Sequence, residues 1–278
     1  MSTTLDTPHT IARPAPAPLS EAFAHTWFMT QRQLRAFLRQ PAYLVITLVQ
    51  PIIWLFLFGA LFHKVVDLPG FGGGTDSYID YLVPGVIVMN AVSANMWAGM
   101  GMLEEIERGT LNGLLVTPVR RMALLNANIV SQALSTAIQS LAIIGLGALA
   151  GADYAGGVTG LLVLVLVSSV LGCVFGALSN ALGMVAGERE TIIGINTFLL
   201  LPATFLSTAF MPSGLMPHWM TVVARFNPIN WALAASRSAM TASPDWGSVL
   251  SHSAALVGLA AFAVWLSLRM FGVYRKSV

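Results

Sequence analysis

The sequence predicts an all-α integral membrane protein with six transmembrane helices. An amphipathic interfacial helix precedes them, a short charged helix joins the second and third on the cytoplasmic side, and two short outer-leaflet helices come before the last span. Three observations predict this: a composition too apolar for a water-soluble chain, six apolar runs of bilayer length, and a lopsided placement of basic residues. Of 278 residues, 56% are hydrophobic and 9% charged, with a mean hydropathy of +0.74. A soluble domain carries roughly a quarter charged residues.

The Pro-, Ala-, Ser- and Thr-rich opening, residues 1–19, lacks the apolar core of a secretory signal and reads as a disordered cytoplasmic tail. Residues 20–278 form a single transmembrane domain. Within 20–40, Phe23, Trp27, Leu34, Phe37 and Leu38 share one helical face, with Arg32, Arg35 and Arg39 opposite. Such a helix lies in the interface, its apolar side in the acyl boundary and its arginines at the headgroups. A bilayer core about 30 Å thick needs about 20 apolar residues as a helix. Six segments qualify, at about 42–62, 81–102, 123–150, 158–185, 192–210 and 249–271. The third and fourth exceed that length and are expected to tilt or project. Between the fifth and sixth, Pro217 opens one short helix and Asn227-Pro228 separates it from a second. Trp219 and Trp231 are expected at the interface.

Basic residues set the orientation. Eleven lie on one side: Arg13, Arg32, Arg35, Arg39, Arg108, Arg120, Arg121, Arg189, Arg269, Arg275 and Lys276. Three lie on the other: Lys64, Arg225 and Arg237. Both termini and the charged joint are therefore expected in the cytoplasm of a multi-pass protein.

Several function classes lose support. The spans are nearly free of ionisable groups, His252 and Arg269 near span ends excepted, which argues against a proton-coupled carrier. Neither lysine, Lys64 nor Lys276, sits in a phosphate-binding G-x-x-x-x-G-K-[ST] loop, and there is no H-E-x-x-H pair. No nucleophile–base or metal constellation marks an enzyme. The lone Cys173 lies in an apolar run. No cofactor is expected in the chain, and no nucleic-acid partner. Polar span residues, among them Asn90, Asn95, Asn128, Gln132, Gln139, Asn180 and Asn196, are expected to bond between helices or to backbone. Trp54, Asn90, Asn95, Trp97 and Asn196 are candidates for a substrate pathway.

The joint LEEIERGTLNGLLVTPVRR, at 103–121, holds Glu104, Glu105, Glu107 and Arg108. As one helix, its stripe of Leu103, Ile106, Leu111 and Leu114 would have Glu107 in the middle, so a break is expected at Gly109. The acidic residues then end the preceding helix in water. Thr110 caps a new short helix bearing Leu111, Leu114 and Leu115, and Thr117-Pro118 ends it.

ERGTLNGLLVTPV at 107–119, followed about ninety residues later by AFMPSGLMPHWMTVVARFNPINWALAASR at 209–237, resembles the membrane component of ABC-2-type exporters. The likeness extends from the elbow-like helix at 20–40 through all six spans, and is greatest to the daunorubicin-resistance-type drug-efflux permeases. Polysaccharide-, lipo-oligosaccharide- and lipid-export permeases share the plan. One departure is Asn112, where the family often has an acidic residue. That puts a salt bridge from this position to an ATPase in doubt.

The resemblance implies a non-enzymatic permease in a bacterial cytoplasmic membrane, paired with a second permease, the same or a sister chain. It also implies two copies of a separate ABC ATPase that bind the ATP and Mg. The helix at 110–116 would be the coupling helix, contacting the ATPase together with Glu104, Glu105, Glu107, Arg108, Gly109 and Pro118. The substrate would be apolar or amphipathic. An ion-driven secondary transporter and a membrane-bound enzyme are the alternatives from other classes.

Overall fold

The computed structural model of the chain describes residues 31, 39, 41–67, 71, 77–107 and 121–277. Trp27, Arg32, Arg35, Arg108, Gly109, Thr110, Leu111, Leu114, Leu115 and Pro118 lie outside the described residues. The interfacial and coupling helices expected from the sequence therefore lie outside them as well, apart from Gln31 and the exposed Arg39.

Every regular element among the described residues is helical. α1 (Pro41–Ile53) continues through a π-helical stretch (Trp54–Phe58) and a last turn (Gly59–Leu61). Pro51 lies inside it and has no N–H for the i to i−4 ladder. The widened stretch begins just beyond, as helices do when the ladder is disturbed. α2 (Tyr78–Met96) is capped by Ser77, whose hydroxyl accepts from the Ile79 N–H. α3 (Ala98–Glu107) follows after a break at Trp97. Then come α4 (Arg121–Leu149), α5 (Gly157–Ala186), α6 (Arg189–Phe205), α7 (His218–Phe226), α8 (Pro228–Met240) and α9 (Trp246–Ser277).

All six expected apolar segments are helical over most of their length, but only four described regions are long and apolar enough to cross a bilayer: Tyr78–Glu104, Asn128–Leu149, Gly157–Ala186 and Trp246–Met270. The segment expected at 42–62 is a shorter apolar helix, Val45–Leu61. The one expected at 192–210 stops at Phe205. Pro202 removes an N–H from its last turn, Leu206 leaves the helix at φ −88°, ψ 35°, and the chain runs irregularly over 206–211. The two short helices expected before the last span are α7 and α8. Asn227 ends the first and caps the second, its side chain accepting from the Ile229 N–H at 3.0 Å. Pro217 stands at the N-cap of α7, one residue before the helical position expected for it.

α5 is the hub, packed against α2, α3, α4, α8 and α9. Lipid is as apolar as leucine, so packing and polar contacts hold such helices together. Small residues let them approach. A Cβ on Gly160 would meet the Ala239 carbonyl of α8 at 2.6 Å, and one on Gly183 would run into the Gly99 carbonyl of α3. Between these contacts Val88, Val92, Val167, Leu171, Ile229, Leu233 and Leu256 form a buried cluster joining α2, α5, α8 and α9. A second cluster gathers Leu55, Leu82, Val86, Ile143 and Leu164. α6 leaves Phe198, Leu199, Leu201 and Phe205 exposed.

Candidate functional site

The elements bring an apolar cavity of about 180 Å³ together between α1, α2 and α6. The first wall is Gln50, Pro51 and Trp54, the second Val86, Met89, Asn90 and Ser93, and the third Leu200, Leu201, Thr204 and Phe205, with Phe210 closing one end. Trp54 enters from the π-helical stretch and stacks on Phe210, ring centroids 4.8 Å apart and planes 29° from parallel. Asn90 is the main polar group of the second wall, and its Nδ2 donates to Gln139 Oε1 of α4 at 2.6 Å. The fold thus brings together two of the five predicted pathway residues, Trp54 and Asn90. Asn95, Trp97 and Asn196 lie elsewhere.

Phe210 belongs to the irregular segment 206–211. Buried non-helical backbone needs partners for its polar groups, and here donors converge on its carbonyls. From α2, the Tyr78 hydroxyl donates to the Phe210 carbonyl at 3.0 Å and the Tyr81 hydroxyl to the Thr208 carbonyl at 2.6 Å. Asn227 Nδ2 donates to the Ala203 and Leu206 carbonyls at 2.7 and 3.0 Å. Arg237 of α8 donates to the carbonyls of Thr208, Ala209 and Tyr81 at 2.9, 3.1 and 3.2 Å, its guanidinium 3.6 Å above the Tyr81 ring.

In the charge count Arg237 stands as an outer-side basic residue, yet it is a partly buried clamp on backbone. The signal was its spacing: it falls four and eight residues after the buried Leu233 and Ile229, on the inward face of α8.

Asn95 and Trp97 border a second, polar cleft of about 250 Å³ between α2–α3 and α4, with Asn128, Gln132, Ser135, Thr136 and Gln139 opposite. Asn95 Nδ2 donates to the Ala91 carbonyl at 2.7 Å and to Thr136 Oγ1 at 2.8 Å. Asn196 touches neither cavity. It is buried in α6 and donates to the Met96 carbonyl at 2.5 Å. That carbonyl sits at the break between α2 and α3, and the Ser179 hydroxyl of α5 donates to it as well. Ser179 Oγ in turn accepts from the Gly99 N–H at 3.0 Å. Two other helices thus supply the bonds that the interrupted helix gives up. Asn180 departs from the expectation for polar span residues: both its amide atoms are buried without a hydrogen-bond partner among the described residues.

The acidic cluster does end a helix. Glu107 is half-exposed at the end of α3, with Glu104 and Glu105 in the preceding turn. It is paired, however. Arg189 Nη2 donates to Glu107 Oε2 at 2.6 Å. The Arg189 hydrogen bond holds the Glu107 carboxyl below the ordinary carboxylate range, and Glu107 with the nearby Glu104 raises Arg189. Gly187, at φ 65°, ends α5 in the left-handed region and turns the chain so that α6 starts at Arg189. The geometry therefore ties the last described turn before 108–120 to the α5–α6 turn.

With four described helical regions long and apolar enough to cross a bilayer, the chain is a helical membrane protein by architecture. The model of the ABC-2 type transporter family matches residues 24–241, so the chain belongs to that family. It is 31% identical over 253 residues to the daunorubicin resistance ABC transporter permease protein of Streptomyces coeruleorubidus, covering 90% of this chain and 86% of that one. A putative transport permease of Cyanophora paradoxa is 27% identical, over 70% of this chain and 67% of its own length. A probable doxorubicin resistance ABC transporter permease protein of Mycobacterium tuberculosis is 24% identical, over 80% and 78%. Permease subunits of this family are not themselves catalytic.

Proposed function

We propose that the chain is the permease subunit of an ATP-driven exporter that moves a hydrophobic or amphipathic, drug-like molecule out across a bacterial cytoplasmic membrane. The observation that carries this reading is the cavity between α1, α2 and α6, whose walls are mainly apolar and aromatic, with the neutral Gln50, Asn90, Ser93 and Thr204 as their polar groups, and contain no ionisable side chain. Family membership supplies the energy source: a separate ABC ATPase, in two copies, which binds ATP and Mg. The permease works as a dimer, with itself or with a sister chain. Six membrane crossings with both termini in the cytoplasm fit the distribution of basic residues, with α1 and α6 as the two shorter crossings.

In this reading the coupling surface is Thr110–Val116, hinged at Gly109, and Leu111, Leu114 and Leu115 dock on the ATPase. The preceding helix, through Glu107 and Arg189, carries the displacement inward. The interfacial helix with Trp27, Arg32, Arg35 and Arg39 moves with it. The same scaffold suits a lipid or glycan-linked lipid, but the small aromatic cavity favours a compact molecule.

The test is transport in proteoliposomes holding the chain and its co-purified ATPase. Uptake of a hydrophobic fluorescent drug into inside-out vesicles should require ATP and stop with vanadate. Gly109→Pro or Leu114→Asp should abolish it while leaving membrane insertion intact. Transport by the chain alone without ATP, or its collapse with an ionophore, would overturn the proposal in favour of an ion-driven carrier.

A further inference from the structure

An export cavity needs an exit on the outer side, and here aromatic rings shut that end. Phe210 stacks on Trp54 and lies 5.6 Å, centroid to centroid, from Phe58, one turn further along the first helix. Phe58 in turn touches Phe62 at 5.4 Å, and Phe62 touches Tyr78 at 5.9 Å. These rings gather where the first helix ends and α2 begins. In the proposed orientation that is the outer side.

Phe210 differs from the other rings in how it is held. Trp54, Phe58 and Tyr78 project from helical backbone. Phe210 comes from the irregular segment, and among the described residues 207–211 makes no hydrogen bond from main chain to main chain. Side chains of two helices tie it instead. From α2, Tyr78 and Tyr81 hold the Phe210 and Thr208 carbonyls. From α8, Arg237 holds the Thr208 and Ala209 carbonyls, and Asn230 Oδ1 accepts from Thr208 Oγ1 at 2.5 Å. Gly85 of α2 seats the segment closely, since a Cβ there would run into the Ala209 carbonyl. Arg237 also reaches the Tyr81 carbonyl and so bolts α8 to α2 across the segment.

Ties of this kind can break without disturbing a helical ladder, whereas withdrawing Phe58 means unwinding a helix. Segments so held belong to the easily opened part of a fold. α6 leads straight into this one: it starts at Arg189, the partner of Glu107, and ends at Phe205.

We infer that Phe210 is the outward gate of the cavity. Segment 206–211 withdraws its ring from Trp54 and Phe58, and the cavity then opens to the outer side. The gate rests on reading that cavity as the export site.

The experiment measures how fast a cysteine in the cavity wall, introduced as Ser93→Cys in a Cys173→Ser chain, is modified from outside. It uses the full chain in right-side-out membrane vesicles and 2-(trimethylammonium)ethyl methanethiosulfonate. The fixed charge keeps this reagent out of lipid, so it reaches position 93 only through an aqueous opening. Modification should be slow with Phe210 in place and at least about tenfold faster with Phe210→Ala. Tyr78→Phe keeps every ring but loses the bond to the Phe210 carbonyl, and should speed modification by about fivefold. Phe198→Ala, on the exposed face of α6, should change nothing. A Leu233→Cys reporter in the buried cluster should stay unmodified in the Phe210→Ala chain, which shows that the variant is folded. If it is modified, Tyr78→Phe decides. Unchanged rates in the gate variants, or acceleration only in inside-out vesicles, would overturn the gate. Accelerated modification together with no ATP-driven transport in proteoliposomes would instead reject the export reading beneath it.

Discussion

Arg189 donates to Glu107 across 2.6 Å, joining the end of α3 to the turn between α5 and α6. Both side chains are half-exposed, and such pairs add little to stability. The pair predicts a mechanical link between the end of α3 and the start of α6, the helix whose other end lines the cavity. Glu107→Gln and Arg189→Gln should each lower ATP-driven transport by about fivefold with an unchanged melting temperature. The exchanged pair, Glu107→Arg with Arg189→Glu, should recover most of it. Equal losses in the swap and the single variants would dismiss the link.

The same pair has a pH signature. The folded-state pKa of Glu107 is lowered, so the contribution of the pair is complete above the ordinary carboxylate value. It is lost as pH falls through the lowered one. A carboxyl carbon label at Glu107 should titrate at lower pH in the native chain than in Arg189→Gln. Identical titration curves would show that the pair does not persist in the membrane.

The Met96 carbonyl predicts an ordering of stabilities. Asn196→Ala removes one of its two donors, at a cost of about 1 kcal/mol. Ser179→Ala also strands the Gly99 N–H and should cost more, about 2 kcal/mol. Gly183→Ala drives a Cβ into the Gly99 carbonyl and should cost about 1–3 kcal/mol by forcing α3 from α5. Thermal unfolding in detergent reads all three. Ser179→Ala milder than Asn196→Ala would contradict the assignment.

Arg237 holds the segment that carries Phe210. Arg237→Met loses donors to three carbonyls and should cost about 3 kcal/mol. Arg237→Lys should recover little, because an ammonium lacks the planar fork and stacks poorly on Tyr81. If Lys restored native stability, the charge alone would be the relevant property.

Trp54→Ala removes one face of the cavity and its stack with Phe210. Transport assays should show KM raised by roughly tenfold with little change in kcat. Asn90→Asp would place a carboxylate in an apolar wall and should depress transport of a neutral substrate further. A kcat effect alone from Trp54→Ala would move the residue out of the binding surface.

The chain by itself determined what depends on local composition. Apolar runs of bilayer length announce the helices, and basic residues near their ends bias the orientation. Pro217 and the Asn227-Pro228 pair mark α7 and α8, because proline restricts the backbone wherever it stands. Trp54 and Asn90 could be nominated as polar or aromatic residues in apolar surroundings, but nothing local distinguished them from Asn95, Trp97 and Asn196. Only tertiary structure separated them. Trp54 and Asn90 share a cavity, Asn95 and Trp97 border a cleft, and Asn196 serves a carbonyl 100 residues away.

The break at Trp97 and the irregular segment at 206–211 were equally hidden, because neither is stable alone. Each depends on donors from distant helices, Ser179 and Asn196 in one case, Tyr78, Tyr81, Asn227 and Arg237 in the other. A hydrogen bond between residues far apart in the chain leaves no local pattern. Periodicity can show which face of a helix turns inward. Which carbonyl that face meets is decided only when the helices pack.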